Sequence, residues 1–279
     1  MRELGVDELY VIARTVLLDA LDALGEHRAA LVLVGAQAVY LRVGEADLAV
    51  ASYTTDGDLA VDPRVLEERP AIERQLLAAG FAPKSSDSVG MWITHRKTAT
   101  NPETQVAVDL LVPEGMSPGT GRRSAGLIGH DSKVARKVKG LEGSLVDAEK
   151  MDVGSFVADD HRSFSLSVAG PAALLMSKVF KIQDRLGSDR LSDKDALDVY
   201  RLLRGTPTED MASRYGKILG DARAEANAKV SLELLESQFG DRRSDGVQMA
   251  LRAVSGLVDP EETATALQFL TKDLLHAVK

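Results

Sequence analysis

Leu31–Pro63 reads LVLVGAQAVYLRVGEADLAVASYTTDGDLAVDP. Its opening run, Ala29–Val34, is short, apolar and rich in Val and Leu, as a buried strand is. Two small residues, Gly35 and Ala36, then make a turn, and Gln37–Arg42 takes up helical character as far as Gly44. A second strand is expected at Asp58–Val61, just past Asp56-Gly57-Asp58. Residues two apart on a strand share a face, so Asp56 and Asp58 would stand side by side, about 6–7 Å apart along the backbone. A turn of bare backbone suits phosphate, and paired carboxylates suit a hard cation such as Mg²⁺. A solvated turn with an Asx cap explains Asp-Gly-Asp equally simply, and taken alone the motif favours it.

Outward from this stretch, Leu9, Ile12, Ala13, Val16, Leu17, Ala20, Leu21 and Leu24 recur at helical spacing and predict a first helix ending near Gly25. Val65–Ala79 reads as a helix closed by Gly80. Val89–His95 and Val106–Val112 read as strands separated by an Asn-Pro turn, and Gly115–Gly121 as loop. After about Ser167 the pattern turns helical nearly to the end, opened by Pro171 at a helix start. Asp259-Pro260-x-Glu262 carries the start signal of the last helix. The division expected is an α/β lobe over 1–168 and a helical lobe over 169–279.

Composition narrows the classes. The chain has 279 residues, long enough for one large core or two modest ones. With no cysteine, disulfide scaffolds, Cys-ligated zinc and thiol nucleophiles are excluded. The first helix alternates charge with apolar groups and lacks the core of a signal peptide, and no run approaches the roughly 20 apolar residues of a membrane span. A cytoplasmic protein with no membrane partner is expected. A net charge of −8 argues against coating nucleic acid by bulk electrostatics. It leaves room for a local patch, and Arg122–Lys139 carries six cations against Asp131. That stretch is equally a solvated face and a site for RNA or a triphosphate.

Asp109 interrupts the apolar run Val106–Val112, where a charge is costly without a partner. Pairing with a cation is one explanation. The other is that an adjacent strand carrying one inward carboxylate completes a three-acid metal site with Asp56 and Asp58. In the expected helix Ala172–Leu186, Lys178, Lys181 and Arg185 line one face beside the apolar stripe Leu175, Val179, Ile182 and Leu186. A solvated basic face usually explains such a pattern, and contact with a triphosphate is the alternative. In Ser192-Asp193-Lys194-Asp195, Ser192 or Asp193 looks like an N-cap, and Asp198 follows Asp195 at i+3. There is no phosphate-loop motif, no nucleophile elbow and no zinc-binding histidine pair, and the five histidines are scattered.

Four blocks in order, VLVGAQAVYLRVG with TTDGDLAVD, VAVDLLV, VAGPAALLMSKVFKIQDR and SDKDALDVYRLL, resemble the nucleotidyl transferase AbiEii/AbiGii toxin family, which includes the MenT-type toxins. The resemblance runs from about Leu31 to Leu203. It departs at Gly35-Ala36, where the family usually has Gly-Gly or Gly-Ser, so a serine hydroxyl contact would be lost while the backbone N–H remains. It implies an α+β fold: a nucleotidyltransferase lobe with a small mixed β-sheet flanked by helices, then an all-helical C-terminal lobe. It also implies that Asp56 and Asp58 hold two Mg²⁺ (or Mn²⁺) ions and that Asp109 ligates the one activating the attacking hydroxyl. Lys178 would contact the triphosphate, with Asp195 orienting it or a metal-bound water. Gly35, Ala36, Thr55, Lys181 and Arg185 would complete the nucleotide site, with Lys194 a further candidate. The implied activity is transfer of a nucleotide from an NTP to an acceptor hydroxyl, foremost the 3′ end of tRNA, by a toxin with a cognate antitoxin. A protein or small-molecule acceptor, or a non-catalytic binding module on the same fold, are the alternatives. Phosphorylation at Thr54 or Thr55 would place negative charge beside the acids and suggests a route to inhibition.

Overall fold

The computed structural model describes residues 7–44, 54–99, 101, 103–189 and 191–279. Residues 45–53 of the opening stretch and Pro102 of the expected Asn-Pro turn lie outside them. The fold is α+β: one mixed sheet flanked by helices, with a helical C-terminal part. It comprises two units. The first is made of 1–38, 51–138 and 148–169, and the second of 39–50, 139–147 and 170–279. Where the sequence suggests a single cut near residue 168, two segments that precede it, 39–50 and 139–147, group with the helices.

The first unit carries α1 (Glu8–Ala23), β1 (Leu31–Val34), β2 (Asp56–Val61), α3 (Ile72–Ala78), β3 (Ala82–Pro83), β4 (Met91–Arg96), β5 (Thr104–Pro113), β6 (Arg136–Val138), β7 (Ala148–Gly154) and β8 (Ser163–Ala169). α2 (Gly35–Val43) starts in this unit and ends in the second. Strand order is β3-β4-β5-β2-β1-β8-β7, with β6 continuing beside β5. β1·β8, β2·β5 and β5·β6 are parallel and the other pairs antiparallel. The sheet is larger than expected: β3 and β6 are only two and three residues long and β7 is mostly polar, whereas β8, SFSLSVA, does alternate polar and apolar residues and is the added strand that its own pattern supports.

α1 packs on β2 and β5. Gly57 marks the contact, since a Cβ there would lie 3.1 Å from the Leu17 side chain. By strand parity Leu59 faces α1 as well, and Asp56 and Asp58 face the opposite side of the sheet. The expected helix over Val65–Ala79 is shorter: only Ile72–Ala78 is helical. Pro70 has no N–H to donate and its ring obstructs a preceding turn, so the helix starts after it.

The second unit holds α4 (Pro171–Arg185), α5 (Asp193–Gly205), α6 (Thr208–Leu219), α7 (Glu225–Phe239), α8 (Asp245–Ala253) and α9 (Pro260–Ala277). Gly170 precedes α4 and offers no capping side chain. The buried Asp147 supplies the cap instead, its Oδ2 accepting from Ala173 N at 3.2 Å while Arg214 holds Oδ1 at 2.9 Å. A Cβ at Gly170 would lie 2.1 Å from that carboxylate. The start signal at Asp259 is realised as a side-chain cap on Glu262 N. No helix among the described residues is long and apolar enough to cross a membrane.

Candidate functional site

In the first unit, β2 and β5 run parallel with Asp58 directly beside Asp109 and Asp56 beside Ala107. Register partners on adjacent strands point the same way, so Asp56, Asp58 and Asp109 share the face turned away from α1. Val34 continues the row on β1 and Met91 on β4. Two carboxylates side by side repel one another, so this row needs positive charge from somewhere.

The turn meets the row at Gly35. Its φ is +69°, and a Cβ would lie 2.0 Å from Asp58 Oδ2. Glycine therefore does two things here: it takes the left-handed backbone and lets the Asp58 carboxylate lie against the chain. The helix begins at Gly35 itself, earlier than the sequence suggests, and brings Gly35 and Ala36 into the first turn of α2. First-turn N–H groups have no acceptor within the helix, which is why such turns take anions.

Two residues outside the sequence expectations hold this arrangement. Gln37 Nε2 donates to the Asp56 carbonyl at 2.9 Å, and its Oε1 accepts from Arg14 Nε at 2.8 Å. Arg14 is buried and also donates to the Gly154 carbonyl and the Tyr10 hydroxyl, with its guanidinium 4.5 Å from the Phe156 ring centre. Burial lowers its pKa, with Tyr10 opposing. A polar residue on the inner side of α1 and of α2 was the only signal either gave in the sequence.

Each outer acid has its own partner. Thr54 Oγ1 donates to Asp56 Oδ1 at 2.7 Å, and Arg136 Nη2 to Asp109 Oδ2 at 2.7 Å. Cation pairing, one of the two explanations for Asp109, is thus realised. Three carboxylates on one face are hard oxygen donors of the kind Mg²⁺ takes, so the donor set fits the metal. Their directions do not yet: among the described residues no three His, Cys, Asp or Glu side chains are gathered to hold an ion. Thr54 is fully buried, which removes it as a modification site, whereas Thr55 is exposed.

The stretch Arg122–Lys139 is not one basic face. Lys133 donates to the Ser86 carbonyl at 2.6 Å, Lys137 to the Gly119 carbonyl and Arg136 to Asp109. Lys139 belongs to the second unit and lies 5.6 Å from the Phe180 ring centre. Arg122 and Arg123 are exposed.

In the second unit, Lys178, Lys181 and Arg185 of α4 all face Asp195 of α5, at 2.9, 3.1 and 3.4 Å. Lys178 also bonds Asp198 at 2.6 Å, and Arg201 meets Asp198 at 3.2 Å and stacks on Tyr40. Asp198, absent from the sequence-level candidates, is fully buried, and Lys178 is only 3% exposed. Burial would lower the Lys178 pKa, but Asp195 and Asp198 outweigh it and raise it. Burial likewise pushes Asp195 up, and Lys178 and Lys181 more than reverse it. This basic face is packed rather than solvated, with Lys181 and Arg185 reaching solvent at 37% and 27% exposure. Four cations around two carboxylates leave an excess of positive charge.

No family model matches the chain and no curated protein matches it. Among solved structures it is similar to an antigenic nucleotidyltransferase-like protein from Paracoccidioides brasiliensis, at 15% identity and a TM-score of 0.45, over 84% of this chain and 89% of that one. A likeness at that level does not distinguish one reading of the site from another.

Proposed function

We propose that this chain is a metal-dependent nucleotidyltransferase. The observation that carries the reading is the row Asp58–Asp109 on adjacent parallel strands, with Asp56 on the same face and the Gly35 turn against Asp58. In such a transfer an acceptor hydroxyl oxygen bonds to the α-phosphorus as the bond to pyrophosphate breaks, and the hydroxyl proton leaves to water. Asp56, Asp58 and Asp109 would hold divalent cations, which when bound offset charge on the attacking and leaving oxygens. Backbone N–H groups at Gly35 and Ala36 would steady phosphate oxygens, and Thr55, which is exposed, would add a hydroxyl.

The positive excess around Asp195 suits a triphosphate or pyrophosphate. Lys181 and Arg185 are its exposed members, so they are the direct contacts proposed. Lys178 is the buried hub through which Asp195 and Asp198 order that cluster. The finer assignment, a toxin-like enzyme acting on the 3′ end of tRNA and checked by a cognate antitoxin, is supported by the four sequence blocks alone.

The test is incubation with each α-labelled NTP, Mg²⁺ or Mn²⁺ and total RNA. A discrete labelled RNA is expected, and Asp56→Ala should lose the label while remaining folded. Label in neither RNA nor protein with any metal overturns the reading. A nucleotide-binding module without chemistry is the second reading, favoured by the Asp109–Arg136 pair, which leaves the three acids ungathered. NTP binding without product would select it.

A further inference from the structure

We propose that Arg136 is a resident counter-ion of the acid row, competing with divalent metal for Asp109. This rests on the reading of Asp56, Asp58 and Asp109 as metal ligands. Asp109 stands in register with Asp58, so two like charges lie side by side on adjacent strands. The Arg136 guanidinium offsets that repulsion through a 2.7 Å bond to Asp109 Oδ2.

The attachment is of a kind that exchanges. Only Nη2 engages the carboxylate among the bonds the structure shows, so the pair lacks the two-pronged geometry that makes arginine–carboxylate pairs strong. Arg136 Nε is buried without an acceptor, so this position leaves part of the guanidinium unsatisfied. The Arg136 side chain is 32% exposed against 9% for Asp109, so the cation has a path to water that the carboxylate lacks.

The backbone beneath it is fixed. Arg136 pairs with Leu111 on β5 and bridges to Ser124 on its other side. Gly90 packs so closely that a Cβ would lie 2.6 Å from Arg136 N. Exchange therefore consists of a side-chain swing from a fixed strand, and it frees Asp109 Oδ2 without rebuilding the sheet. Metal affinity is set by this competition: whatever strengthens the Arg136–Asp109 pair weakens metal binding to the same degree.

Mn²⁺ binding to the full chain, read by electron paramagnetic resonance and calorimetry, tests this with wild type, Arg136→Gln, Arg136→Lys and Arg136→Gln combined with Asp109→Asn. Arg136→Gln is expected to bind Mn²⁺ about tenfold more tightly than wild type, within the usual range for coupled sites. Its melting temperature should fall in chelator and recover with Mn²⁺, because metal then supplies the missing positive charge. Arg136→Lys should fall between the two, and it carries the comparison should Arg136→Gln fail to fold. The double variant should lose the gain. Equal or weaker binding by Arg136→Gln, or a gain that survives Asp109→Asn, overturns the counter-ion role and leaves the metal reading standing. No Mn²⁺ binding by wild type or any variant overturns both.

Discussion

Replacing Lys178 by Met removes one positive charge from a buried cluster while keeping most of the side-chain volume. Asp195 keeps Lys181 and Arg185 at 3.1 and 3.4 Å, so it stays compensated. Asp198 loses its 2.6 Å partner and keeps Arg201 at 3.2 Å, at a position with no exposure at all. Stripping one partner from a buried ion pair costs about 3–5 kcal/mol. For a protein of this size that corresponds to a fall in melting temperature of roughly 10 °C. Adding Asp198→Asn removes the carboxylate that has lost Lys178 but also takes from buried Arg201 its 3.2 Å partner, so the double variant should lose less than the two single losses summed, a coupling on the order of 1–2 kcal/mol. Urea unfolding followed by the helical circular dichroism signal, with calorimetry alongside, measures both. A single variant within about 1 kcal/mol of wild type, or strictly additive losses in the double variant, would refute the account of Lys178 as the hub of the cluster.

Gly35→Ala must place a side chain at φ +69° and 2.0 Å from Asp58 Oδ2, so a loss of at least about 1–2 kcal/mol from the backbone alone is expected in urea unfolding. Gly57→Ala meets only the movable Leu17 side chain and should cost less, so a reversed order would be informative. Asp147→Ala leaves α4 without its cap and takes from Arg214 its 2.9 Å bond to a buried carboxylate, and should cost about 2 kcal/mol by the same measurement. His130 accepts from Ile72 N through Nδ1 and is held below the ordinary histidine pKa, chiefly by burial. The unfolded chain therefore binds the proton more readily, so stability is full above about pH 6.5 and declines as pH falls below it. His130→Gln should flatten that decline, and an unchanged pH profile would assign it to other groups.

The row of acids was legible because strand parity is a strict rule. Asp56 and Asp58 had to share a face, and a lone Asp inside Val106–Val112 had to have a partner. Which partner was not legible, since Arg136 lies 27 residues from Asp109 at the end of a loop-rich stretch. Asp198 was equally hidden: an acid three residues from Asp195 looks like surface charge until α4 packs on α5. Gly35 read as a turn, but its contact with Asp58 depends on how β1 pairs with β2. Among the strands, β7 reads AEKMDVG, where Met151 and Val153 are the whole apolar face, and β3 and β6 are two and three residues long. Apolar spacing over Val65–Ala79 runs through Pro70, which is where the backbone stops the helix, so α3 is shorter than its pattern. The misread elements are those held by their neighbours rather than by their own pattern.

β1 lies between β2 and β8, and that position sets an order of events during synthesis. Leu31–Val34 leaves the ribosome long before Ser163–Ala169, so one edge of this interior strand waits uncovered while most of the sheet is being made. β2 arrives soon and can pair at once, whereas parallel pairing to β8 closes the longest loop in the sheet and comes last. Nascent chains halted before residue 163 should therefore expose β1 to other strands, which makes this edge the point of greatest aggregation hazard for a protein whose finished surface conceals it.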